Sequence, residues 1–302
     1  MVAQAQSSHS ASKVLVPRVA TQVRRYGRAA VQGFGTVTAR WRPLPDFLIV
    51  GTKRSGSTSL FRYLETHRQI APLFPTSRLP MMRENQKGVH YFDSNYHHGP
   101  SWYQGHFLTS SARRRHAQLA GEASPYYLFH PLAAQRASEL LPRAKIIVML
   151  REPVERTFSH WSEQTRNGVE TLSFEAALAA EQHRVGDDQQ RLLAGEIGRS
   201  FPHEQQSYAA QSHYWPSLQR WLGLYGRDAV LILRSEDFYQ TTQLVFDQVT
   251  SFLDIEQQNL TNVEPWNAAP KSAVADAIRA QLVDRFAPDM AHLEREVGIG
   301  WE

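Results

Sequence analysis

Between glycines at 51 and 56 the chain places two cations, Lys53 and Arg54, with the hydroxyls of Thr52 and Ser55; Ser57, Thr58 and Ser59 follow directly. Cations, hydroxyls and open backbone N–H groups in one short loop are equipment for holding an anion. The flanking residues position that loop. Phe47-Leu48-Ile49-Val50 is a continuous apolar run that reads as a buried strand. Leu60, Phe61 and Leu64 recur at helical spacing, so the loop opens a helix, whose N-terminal N–H groups and dipole add partial positive charge. Gly51-x4-Gly56 fits the nucleotide-binding P-loop, but Ser57 stands where that motif requires Lys. The cations come earlier, inside the loop, which suits an anionic group lying across it rather than a pyrophosphate threaded beneath it. Taken alone, the string favours an anion loop, with an ordinary strand–turn–helix carrying solvated cations as the alternative.

A second stretch changes the weighing. Lys145-Ile146-Ile147-Val148-Met149-Leu150 is another buried strand, and it ends in Arg151 where a nucleoside-triphosphatase would place a magnesium-binding Asp. Pro153 suits the first turn of a helix, so Arg151 and Ser159 are positioned to clamp a second phosphate without a metal. Two anion-binding corners and no evident metal ligand disfavour a triphosphatase.

The rest of the chain bounds the class. Its 302 residues, 42% apolar, suffice for one large core. Seven of the 33 cations fall in residues 1–45 with none of the 29 acids, leaving 26 cations against 29 acids elsewhere. The basic character therefore belongs to an N-terminal extension, expected over 1–44 as a disordered or loosely helical segment, and does not mark a nucleic-acid-binding core. A basic segment resting on an anionic membrane surface or an acidic substrate is the sharper alternative. Arg24-Arg25 is followed by no apolar stretch, and no window has the apolar length of a membrane span. There is no cysteine, hence no disulfide or thiolate chemistry. The expectation is a soluble, cytoplasmic, bacterial protein.

The paired motifs resemble those of the PAPS-dependent sulfotransferase family. From about Pro45 to the end, the chain is most similar to its carbohydrate branch, the heparan-sulfate-type enzymes and their bacterial relatives. The resemblance implies that Lys53, Arg54, Ser55, Gly56, Ser57, Thr58 and Ser59 hold the 5′-phosphosulfate and that Arg151 and Ser159 hold the 3′-phosphate. The expected fold is α/β, P-loop-like, with a mostly parallel central sheet that includes strands 47–50, 145–150 and 229–233 and helices on both faces, spanning 45–302 as one domain. The implied reaction moves a sulfuryl group from PAPS to an acceptor hydroxyl, expected on a carbohydrate or other small molecule, with PAPS as co-substrate, no metal and no nucleic-acid partner.

Departures from the family pattern fall on the acceptor side. In Lys87-Gly88-Val89-His90-Tyr91-Phe92-Asp93, which reads as a short strand closed by a turn, Gly88 stands where the family carries its general-base Glu. His90, held by Asp93, or Glu84 are the substitutes, and a site with no residue base stays open. Lys87 matches a basic family position that steadies the transferring group. Ala123, in Gly121-Glu122-Ala123-Ser124, stands where relatives often carry Lys. His97 and His98 read as loop residues, since neighbours cannot share a helix face. Residues 183–207 read as a mobile loop, 207–225 as an aromatic helix, and Glu236-Asp237 as a helix cap. Asn267 and Lys271 are all that matches a nucleotide-covering lid. Two rivals remain: a PAP- or PAPS-binding protein without turnover, motivated by Gly88 and Ala123, and a P-loop kinase, motivated by Gly51-x4-Gly56.

Overall fold

The computed structural model describes residues 29–75, 87–115, 118–261 and 274–301. Glu84, Asn267 and Lys271 lie outside the described residues, as do residues 1–28.

The apolar runs do form the sheet. Strands β1 (Phe47–Gly51), β2 (Ile70–Ala71), β3 (Leu119–Ala123), β4 (Lys145–Leu150) and β5 (Val230–Arg234) lie in the order β2-β3-β1-β4-β5 with every pairing parallel. Residues 47–50 and 146–150 are fully buried, because a parallel sheet is covered on both faces and leaves no face for polar alternation. Helix α1 (Ser57–Thr66) turns Leu60, Phe61 and Leu64 into the core. Helices α2 (Pro153–Arg166), α3 (Phe174–Val185), α4 (Trp215–Tyr225), α5 (Ser235–Gln240), α6 (Thr242–Leu253) and α7 (Asp276–Val297) complete the layers.

The chain runs from β1 outward to β2, returns to β3 beside β1, then crosses to β4 on the other side of β1. The crevice beyond the carboxyl ends of β1 and β4 is thus a topological switch point, the usual ligand position in open parallel sheets. The Gly51–Gly56 loop and Arg151 both emerge there, and Thr52 N–H donates to Met149 O across 2.6 Å.

Several expectations need correction. Strands β2 and β3 were not foreseen, since β2 is two residues long and β3 reads Leu-Ala-Gly-Glu-Ala. Residues 87–90 form no strand and 91–94 are a turn, because His90 takes a left-handed backbone, φ 53°. Helix α4 starts at Trp215, not 207, with Pro216 in its first turn. Residues 183–207 are built rather than loose: helices cover Asp188–Leu193 and Pro202–Gln206, with His203 and Glu204 buried. Glu236 does not cap its helix. One carboxylate oxygen accepts from Glu152 N–H (2.9 Å) and the other from Trp301 Nε1 (2.8 Å), tying β4's end to the C-terminus. Folding against the domain also begins before Pro45: residues 29–37 are helical, and Arg42 is buried with Nη1 donating to Phe107 O.

Candidate active site

The loop after β1 ends in Gly56, whose φ of 91° is a conformation that favours glycine. It serves as N-cap of α1 with no side chain capping the helix, which suits the helix end to an external anion. Arg54 is also left-handed, φ 74°. A non-glycine residue held there is strained and sits where the surrounding structure over-determines it. Arg54 and His90 are two of the three such residues among those described, the third being Asp254 at the C-cap of α6.

Arg54 is the hub. Its Nε donates to Ser159 Oγ (3.1 Å), and Nη1 meets Glu163 Oε1 at 2.5 Å. Arg151 Nη1 donates to Arg54 O at 3.4 Å, so the structure brings Arg54, Arg151 and Ser159 together. Arg151 also lies 3.8 Å from Glu155 Oε2, and Glu155 pairs in turn with Arg279. Ser159 and Glu163 are one turn apart on α2, which starts cleanly because Glu152 accepts from Val154 and Glu155 N–H with Pro153 at the first position.

The hydroxyls divide. Ser55 Oγ is buried against Thr52 Oγ1 and shapes the loop from inside, and Ser59 is fully buried. Ser57 and Thr58 face Lys87, whose Nζ donates to Thr58 Oγ1 and lies 3.4 Å from Ser57 Oγ. Burial, with repulsion from Arg54, Arg62 and Lys53, lowers the Lys87 ammonium to about 8 against the pull of Glu163.

Lys53 departs from the expected phosphate position. Its ammonium donates to Glu204 O (2.9 Å), reaches Glu204 Oε1 and Gln205 Oε1 at 3.3 Å, and lies 5.0 Å from the Tyr126 ring centroid. Burial lowers its pKa while Glu204 opposes the shift. The left-handed Arg54 follows Lys53 directly, and the two side chains leave the loop in different directions.

Beyond the loop, His90 Nδ1 is 2.9 Å from the buried Asp93 Oδ2. Burial alone would lower the His90 pKa, but the Asp93 hydrogen bond and the charges of Asp93, Glu122 and Glu204 outweigh it and raise it. The same pairing holds Asp93 below its usual range although burial opposes this. His90 N–H donates to Ser124 Oγ (3.0 Å), and Ser124 Oγ donates to Glu122 Oε2 (2.6 Å). Glu122 is fully buried and also accepts from Val89 N–H, Tyr103 OH and Tyr127 OH. Burial raises its pKa in spite of those donors.

Gly88 has a steric reason. A Cβ there would stand 2.5 Å from Ala123 O and 2.6 Å from Ser124 Oγ. This backbone path leaves no room for a glutamate at 88, so the base position of the family pattern is closed by packing. His97 and His98 form an exposed 3-10 turn stacked beside Trp102. Among the described residues no group of three or more His, Asp or Glu is placed to hold a metal ion.

Glu163, Glu204 and Tyr126 escaped the sequence reading. Glu163 had a signal, four residues beyond Ser159 and hence on the same helix face. Glu204 and Tyr126 had none, since their approach to Lys53 depends on how residues 199–207 fold back.

A parallel sheet with an anion loop at its switch point, a cation and hydroxyl after the neighbouring strand, and Arg in the Walker aspartate position defines a P-loop-like α/β protein. Residues 44–275 match the family model described as the sulfotransferase domain. The chain belongs to that family. It is 24% identical over 80% of its length to the membrane-associated sulfotransferase kil1 of Dictyostelium discoideum, of which it spans 63%. It is 28% identical over 70% of its length to the bifunctional heparan sulfate N-deacetylase/N-sulfotransferase 2 of Homo sapiens, of which it spans 22%. The sulfotransferase from Alicyclobacillus acidocaldarius superposes with a TM-score of 0.62 at 27% identity, covering 86% of this chain and 98% of that one.

Proposed function

We propose that this sulfotransferase moves the sulfuryl group of PAPS to an acceptor hydroxyl on a carbohydrate or glycoconjugate. The observation that carries the reading is the convergence of Arg54, Arg151 and Ser159 at the uncapped start of α1. Residue types there suit a doubly phosphorylated donor: two guanidiniums form permanent charge-assisted contacts with phosphate oxygens, and the helix start supplies N–H groups. The heparan sulfate relatives support a carbohydrate acceptor.

The donor supplies a sulfuryl group on a phosphate leaving oxygen. The chain's residues do the rest. Arg151 and Ser159 hold the 3′-phosphate; Gly56, Ser57 and Thr58 line the 5′ end. Arg54 and Lys87 neutralise charge that develops on the leaving phosphate as its bond to sulfur breaks. His90, its Nδ1 engaged by Asp93, takes the acceptor proton at Nε2 as the new oxygen–sulfur bond forms. The sulfate ester and PAP leave, and the proton passes from His90 to solvent. Lys53 stays with Glu204 and Gln205.

The test is calorimetric titration with PAP, without magnesium, on wild type and Arg151→Ala, followed by an acceptor screen. Binding by wild type and at least tenfold weakening in the variant is expected. No binding by a folded wild type refutes the donor assignment, and binding without turnover across a wide acceptor set favours a PAPS-binding protein.

A further inference from the structure

The helix over residues 29–37 is oriented against the usual amphipathic rule. Its Gln32 faces inward: Gln32 Nε2 lies 3.4 Å from Trp102 O and 3.2 Å from His106 Nδ1. Gly35 permits the contact, since a Cβ there would meet Gly105 O at 2.4 Å. Its apolar residues face outward, with Phe34 59% and Val37 81% exposed on one helix face. The following turn, Ala39–Trp41, continues that face with Trp41, 51% exposed.

Cations border the apolar side chains. Exposed Arg40 lies over the Trp41 ring at 4.0 Å. Ser110 Oγ donates to Trp41 O at 3.2 Å, and the exposed Arg114 and Arg115 follow Ser110 within the same short segment. The nearby carboxylate, Asp46, is already paired with Arg113. No acid occurs in residues 1–45.

We propose that residues 29–41, with Arg114 and Arg115, form a face that docks on the surface of an anionic lipid bilayer. Outward aromatic and aliphatic side chains ringed by arginine are the composition of an interfacial helix: the apolar groups enter the headgroup boundary and the cations meet lipid phosphates. Tryptophan favours that boundary. A soluble polyanion would use the arginines but leave Phe34 and Val37 in water. A second copy of the chain would set this face's arginines against each other, because a two-fold contact is self-complementary. Among the described residues no helix is long and apolar enough to cross a membrane. The face precedes the start of β1, and the donor loop follows its end, about 16 Å along the strand.

The experiment is co-sedimentation of the full chain with vesicles of phosphatidylcholine alone or mixed with phosphatidylglycerol. Binding to the mixed vesicles only is expected. Phe34→Ser/Val37→Ser/Trp41→Ser should lower it at least tenfold. Arg40→Gln/Arg114→Gln/Arg115→Gln should lower it about fivefold per cation, from the attraction of each to an anionic surface. Val37→Ser alone, which leaves the inner helix face untouched, keeps the test valid if the triple apolar variant misfolds, and should still weaken binding severalfold. Absence of binding by folded wild type overturns the proposal. So does binding that survives the apolar substitutions, which would assign attachment to the basic N-terminal cations alone. A concentration-dependent dimer lost on Val37→Ser, or binding to heparin with none to vesicles, also overturns it.

Discussion

The alkaline limit of donor binding should be set by Lys87. Its ammonium sits among Thr58, Ser57 and the loop cations, and burial lowers its pKa to about 8. Displacement from an ordinary lysine corresponds to about 3 kcal/mol against the charged form. The sign follows: the charge is present below about pH 8 and is lost above it, so its attraction for phosphate is an acid-side contribution. At pH 7 about nine-tenths of the molecules carry the charge, and at pH 9 about one-tenth. A hydrogen bond to a charged group contributes about 1.5–3 kcal/mol, so affinity for PAP should fall about tenfold to a hundredfold at the alkaline plateau. Calorimetric titration from about pH 7, above the second phosphate ionisation near 6, isolates the effect. Wild type should weaken through and above about pH 8. Lys87→Arg, charged throughout, should be flat over the same range, and Lys87→Met should be flat at the weak level. A wild-type affinity constant across this range, or a decline that persists in Lys87→Arg, would refute the assignment.

Three further outcomes follow from the same geometry. Asp93→Asn removes the group that raises the His90 pKa, so the acid limb of the rate profile should move to lower pH while the rate falls about 10²-fold or more from lost proton transfer; an unmoved limb would exclude His90 as base. Gly88→Ala should destabilise the fold by about 1–3 kcal/mol, since its Cβ meets Ala123 O; an unchanged denaturation midpoint would sink the steric account of this position. Glu163→Gln frees Arg54 from its internal partner, so PAP should bind severalfold tighter by calorimetry, whereas weaker binding would mean that Glu163 positions Arg54 rather than competing for it.

What the sequence disclosed and what it hid divide along physical lines. Three strands were legible because a buried parallel strand must be apolar throughout, and Phe47–Val50 or Ile146–Leu150 leaves no helical alternative once glycine or proline follows. Strand β3 was hidden because its middle is glycine and a buried glutamate, whose four donors come from residues as far apart as Val89 and Tyr127. The loop cations were legible as a set, but not their separate directions. Lys53 turns toward Glu204 because Arg54 takes a left-handed backbone and residues 202–206 fold over the loop, a long-range event without local signature. Similarly, Gly88 read as a lost base until its contacts with Ala123 and Ser124 showed that no side chain fits.

The cations around the proposed donor site are already engaged within the chain. Arg54 has Glu163, Arg151 has Glu155, Lys53 has Glu204, and Lys87 has the hydroxyls of Ser57 and Thr58. Buried charges without partners would cost several kcal/mol each, so an anion site that must exist before its ligand arrives needs internal counter-ions. These counter-ions differ in how easily they give way. Glu204 holds Lys53 through both backbone and side chain and is nearly buried, so that pair is structural. Glu163 and Glu155 are about a quarter exposed and can turn to solvent, where a carboxylate regains its hydration. Donor binding on this arrangement is an exchange of anions at Arg54 and Arg151, with Lys53 left in place. The same exchange accounts for why the loop cations nearest the switch point are arginines, whose charge persists whichever anion is bound. Lys87, whose pKa burial lowers to about 8, lies opposite them, facing the first hydroxyls of α1.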